Sequence, residues 1–171
     1  MATYGNGLTS VSFAPIAGDG GIGTAWTELG STEQGSMNWE GSEGTKQEFF
    51  IEEQTDPVLV KTQSGSNTIT WNCLDFSPVK MEEMFGGTVT GAGTSGDPFI
   101  YSAPVGGVSA IERSLKIVNG DGDEFLIVRA SVYPTFSASF AKDQIAKVKL
   151  TATILTPTKA ATASYSIKYA A

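Results

Sequence analysis

Apolar and polar positions alternate over much of the chain, and the alternation marks strands. In "NTITWNC", Ile69, Trp71 and Cys73 alternate with Thr68, Thr70 and Asn72, the period of a half-buried strand. "QIAKVKLTATIL" sends Ala146, Val148, Leu150, Ala152 and Ile154 one way and Lys147, Lys149, Thr151 and Thr153 the other. The terminal "ATASYSIKYA" repeats the pattern with Ala163, Tyr165, Ile167 and Tyr169 on one side. "IERSLKIVNGDGDEFLIVRASV" reads as a hairpin turning in "NGDGD", where Asn, Gly and Asp supply the left-handed residues such a turn needs. Further strands are expected near 26–29, 36–40, 47–52, 58–61 and 68–76, and a short one in "FIYSAP". The first 25 residues are glycine-rich and read as an extended arm or loop, and "GGTVTGAGTSGDPF" as a loop.

One segment departs from the strand period. Across 77–86, Ser77 stands at an N-cap, its hydroxyl placed to accept from the first turn, and Pro78 at the first helical position. Gly86 and Gly87 close the segment as a left-handed C-cap would. Met81, Met84 and Phe85 between them form one narrow apolar stripe, expected to pack the helix on the sheet. The whole chain therefore reads as one mainly β domain, 1–171: a sandwich or barrel of about eight or nine strands with one short flanking helix.

Two strands carry apolar residues on both faces. In "QEFFIEEQ", Phe49 and Ile51 point opposite to Phe50; in "PVLVK", Val58 and Val60 point opposite to Leu59. An antiparallel sheet in a lone domain keeps one face wet, and a single short helix cannot cover both. These six residues belong either to the sandwich core, with one aromatic left exposed, or to a contact with another copy, which would also protect the sheet edges.

Composition narrows the chemistry. There is no histidine, which removes Ser-His-Asp and Cys-His nucleophiles and His-based zinc sites. Cys73 is the single cysteine and is expected to be a buried, inert thiol. A net charge of −7 with 11 Lys and Arg argues against nucleic-acid binding through counterion release. The opening "MATYGNGLTS" has neither a basic head nor an apolar run, so no signal peptide is expected, nor is a membrane span. Glycines 18, 20 and 23, and again 91, 93 and 96, spell GxGxxG, but neither string opens a helix in a βαβ unit; with 20 glycines both read as composition. Asn119, Asp121 and Asp123 have the start of a calcium-loop spacing, but Glu124 and Ala130 stand where that loop needs Gly and Glu, so a hairpin turn is the better account. Adjacent carboxylates at 52/53 and 82/83 offer no clear acid–base pair. No enzyme, cofactor or metal is expected. Trp26, Trp39 and Tyr101, if exposed, would suit a carbohydrate-binding sandwich, and that alternative stays open.

The order of these segments resembles the tail tube proteins of long-tailed bacteriophages. The likeness runs through "WTELGSTEQGSMNWEGSEGTKQEFFIEEQTDPV", then "NTITWNCLDFSPVKMEEMFGG", then "RASVYPTFSASFAKDQIAKVKLTATILTP", from about Trp26 to Pro157. The resemblance implies a structural virion protein, assembled in the host cytoplasm, whose subunits form hexameric rings. Stacked rings make a tube that conducts the genome, and the partners implied are baseplate, tape measure and terminator proteins. The same fold serves contractile tails and type VI secretion tubes, so a contractile device is an alternative. DNA would pass without specific binding; acidity repeated in six copies would repel it. Asp121, Asp123, Glu124 and Asp143 are candidates for the lumen or rim.

Overall fold

A computed structural model describes residues 7–50, 52, 55–137 and 145–170. Its strands are β1 (Leu8–Ala14), β2 (Thr27–Glu28), β3 (Asn38–Gly41), β4 (Thr45–Phe49), β5 (Leu59–Gln63), β6 (Asn67–Cys73), β7 (Thr88–Thr90), β8 (Ile100–Ser102), β9 (Ile111–Asn119), β10 (Glu124–Ser137), β11 (Lys147–Ile154) and β12 (Tyr165–Lys168), with α1 (Pro78–Phe85) the one helix among the described residues. The chain is mainly β, as the alternation requires, with more strands than expected because several are only two to four residues long.

Eight strands form one antiparallel sheet in the order β2-β1-β9-β10-β11-β6-β3, with β12 also paired to β10. Two hairpins stand apart from it, β4-β5 and β7-β8. The sheet curls on itself around β10. Its register with β9 shifts between Ile127 and Ala130, and a bulge of this kind bends a strand and raises its twist. Upstream of the bulge β10 pairs with β12, downstream with β11. Those two therefore form one strand line, interrupted by the excursion 155–164. Arg129, at the bulge, fixes the interruption. Its guanidinium donates to both carboxylate oxygens of Glu112 at 2.8 and 2.9 Å and to the Thr156 carbonyl.

The curl brings β1 opposite β6, where Phe13 meets Trp71 edge to face with centroids 6.0 Å apart. Around this pair lie Val11, Ile69, Leu115, Ile127, Val148 and Leu150, all fully buried. The buried set on β6 and β11 follows the expected alternation, because one face of each strand looks inward. The sandwich does not close into a barrel. Residues 27–33 cross the gap between β1 and β6 as a seam, held by Leu29 N–H to the Val11 carbonyl, Glu33 N–H to the Asn72 carbonyl, Leu74 N–H to the Ser31 carbonyl, and one isolated bridge, Thr32 to Cys73.

Several expectations change. Residues 8–14 are not part of an extended arm: β1 lies between β2 and β9, with Val11, Phe13 and Ala14 buried. Its alternation of Val11 and Phe13 with Ser10 and Ser12 is a strand signal that the surrounding glycines mask. β12 forms, but Tyr165 and Ile167 stay exposed, since among the described residues β12 pairs with β10 alone. The expected loop after the helix contains β7, paired to β8, and a tight turn from Thr94 to Asp97. In α1, Ser77 makes no side-chain cap; the Asp75 carboxylate instead accepts its N–H at 2.9 Å. Gly86 has the positive φ of 70°, but its ψ of −156° extends the chain rather than making a left-handed cap, a conformation open chiefly to glycine. Met84 and Phe85 are buried in the core and Met81 packs against it, so the stripe does face the sheet.

Candidate assembly surfaces

The β4-β5 hairpin is the feature the core does not absorb. Its base is a clamp between Ser42 and Ser66: Ser42 N–H donates to the Ser66 carbonyl and Ser66 N–H to the Ser42 hydroxyl, both at 2.8 Å. Gly65 is needed there, since a Cβ would lie 1.7 Å from the Ser42 carbonyl oxygen. From this base the ladder runs from Thr45 opposite Gln63 to Phe49 opposite Leu59, and Val58 N–H to the Phe49 carbonyl extends it by one bond. The stem is polar, with Thr45, Lys46 and Gln47 facing Lys61, Thr62 and Gln63. The far end is apolar on both faces. Opposed residues share a face, so Phe49 and Leu59 lie on one and Val60 on the other. All ten strand residues are exposed, and so are Phe50 and Val58, with Phe50 at 58%. Ile51 lies outside the described residues.

At the unclosed side of the sandwich is a groove of about 1040 Å³, bounded by the start of β1, the seam, β3 and the ends of β9 and β10. Its lining is mixed: Leu8, Met37, Trp39, Ile69, Ile117 and Phe125 supply the apolar part, and the rest is polar or glycine, with Gln34 and Glu28 exposed. Trp39 is held edge to face between Phe125 and Tyr165 at 6.1 and 5.3 Å. On the seam, Glu33 accepts from the Asn72 amide and from Lys147 Nζ at 3.1 Å, and these contacts hold its carboxyl below the usual range. The groove escaped the sequence reading because its walls come from four separated segments; Trp39, alternating with polar neighbours in "MNWEG", was its only trace.

The acidic candidates divide. Asp123 is buried, and its carboxylate accepts from Asn119 Nδ2 at 3.0 Å and from Ala170 N–H at 2.9 Å. It ties the β9-β10 turn to the C-terminal segment, so it does not present charge to a lumen. Asp121 is exposed, with its N–H bonded to Asn119 Oδ1 at 3.1 Å. Glu124 is half-buried and paired with Lys168 at 3.3 Å. Asp143 lies outside the described residues. The aromatics are tied down too: Trp26 lies under Lys116 Nζ at 5.2 Å, and the Tyr101 hydroxyl donates to the Gly86 carbonyl at 3.0 Å. All three of Trp26, Trp39 and Tyr101 are half-buried. Cys73 is fully buried, and desolvation raises its thiol above the ordinary cysteine value.

Residues 9–169 match the phage tail tube protein family. The chain belongs to that family. No curated protein matches it. A tail tube protein is a structural, non-enzymatic component of the virion tail that assembles with other tail proteins. Among the described residues no helix is long and apolar enough to cross a membrane.

Proposed function

We propose that this tail tube protein forms hexameric rings that stack into the tube of a long-tailed phage and conduct the genome to the host. The β4-β5 hairpin is the observation that carries the proposal. Five large apolar side chains, Phe49, Phe50, Val58, Leu59 and Val60, are 40 to 58% exposed on a projection with two apolar faces, where a monomer would gain nothing from them. A head-to-tail ring joins two different surfaces of each subunit, which suits a chain carrying a projection at one place and a groove at another. Asp121 and Glu124 remain the acidic candidates for lumen or rim. Baseplate, tape measure and terminator proteins are the partners the tube would meet at its ends and within.

Negative-stain microscopy of the concentrated protein, with and without its baseplate as nucleus, should show six-fold rings or hollow filaments. Phe50→Asp should remove them and leave a folded monomer with an unchanged circular dichroism spectrum. Normal tubes from that variant would reject the hairpin as interface. A sheath protein bound around the isolated tails would place the tube in a contractile device instead.

A further inference from the structure

We propose that the Asn119–Gly120 pair in the β9-β10 turn is a guarded deamidation site, whose reaction unties the C-terminal segment from the sheet.

The chemistry follows from the dipeptide. Asparagine is a thermolabile residue, and a following glycine has no side chain to hinder attack by its nitrogen. The Gly120 backbone nitrogen bonds to Asn119 Cγ and loses its proton, Nδ2 leaves as ammonia, and a cyclic imide closes. Water opens the imide to aspartate or isoaspartate, so an amide and one water become a carboxylate and ammonium.

The turn guards this site. Gly120 is exposed, but Asn119 is only 6% exposed. Its Nδ2 donates to the Asp123 carboxylate at 3.0 Å, and its Oδ1 accepts the N–H groups of Asp121 and Asp123 at 3.1 and 2.8 Å. Its main chain is pinned as well: the N–H donates to the Asp123 carbonyl, and the carbonyl accepts from Gly122 N–H and from the Thr9 hydroxyl. Ring closure expels the very nitrogen that Asp123 holds, so these bonds must break first. The reaction is confined to the opened turn.

The product does not restore the tie. Asp123 also accepts the Ala170 N–H at 2.9 Å. A carboxylate at position 119 replaces a donated bond with a second acidic group beside a buried one, where like charges repel. Isoaspartate also lengthens the backbone of the turn. Either product draws Asp123 away from Ala170, just beyond the end of β12.

The test incubates the full chain folded and in urea, and mass spectrometry follows amide-to-acid conversion in the peptide containing Asn119. Asn6–Gly7, the same dipeptide, calibrates the rate in the unfolded chain. Folded protein should convert Asn119 about tenfold more slowly than unfolded protein, or slower still. Asp123→Ala should recover much of that rate while its circular dichroism spectrum stays native. Gly120→Ala should slow conversion in urea severalfold; Gly120, unlike Gly122 with its φ of 89°, does not occupy the left-handed region. Native chain aged until part has converted is then separated by ion exchange, and the more acidic form should exchange its Ala170 amide faster, with Leu150 unchanged. Equal rates at Asn119 in folded and unfolded chain, or a folded Asp123→Ala as slow as the native protein, overturn the guard. Unchanged Ala170 exchange in the converted form overturns the untying.

Discussion

Asp123 does more for this fold than its place in a polar turn suggests. Its buried carboxylate accepts from both the Asn119 amide and the Ala170 N–H, and Asn119 Oδ1 in turn accepts the N–H groups of Asp121 and Asp123. Asp123→Ala should therefore cost about 1–3 kcal/mol, the penalty for stranding buried donors, measured as a lower denaturant midpoint at unchanged slope. Sequence spacing at these positions distinguished a turn from a calcium loop. It did not separate the inward carboxylate from the outward one, because two residues apart in a turn is not a statement about direction. The ion pairs make a pH prediction. Arg129 donates two bonds to Glu112 and holds its carboxyl below the usual value. A carboxyl depressed in the folded state stabilises fully above its unfolded pKa, and that share is lost as pH falls through the depressed folded value. Denaturant midpoints should fall on acidification below the ordinary carboxylate range. Glu112→Gln should lower the neutral midpoint slightly, and the two proteins should converge in acid. The pair is partly exposed, so the effect is small.

At the scale of elements, long alternating strands were legible and short or masked ones were not. The strands around Trp71 and Leu150 could be read directly because each buries one face. β1 was hidden by flanking glycines, and β7 by a composition of Gly, Thr and Ser that suits a loop equally well. The helix was legible from its proline and its stripe, although its ends are not capped as such residues usually cap. Met84 is the stripe's fully buried member. Met84→Ala should cost about 2–5 kcal/mol through lost contacts and a residual cavity, read by thermal or chemical denaturation. The hairpin was legible as strands with two apolar faces. Its separation from the main sheet was not, since pairing partners are not written in local periodicity.

For the molecule as a whole, stability is unevenly distributed. β9, β10 and β11 carry long ladders of paired residues with one bulge between β9 and β10, whereas β1 and β6 pack through Phe13 and Trp71 and, among the described residues, are linked by backbone hydrogen bonds through the seam. The groove belongs to this same scale, because its walls meet only when the sheet has curled.

Local opening should begin at that seam. In hydrogen exchange of the free subunit, the amides of Leu29, Glu33 and Leu74 should lose protection well before those of Leu115 and Leu150; equal protection would mean the shell opens as one unit. A shell with a weak join is compliant across it and stiff along its strands.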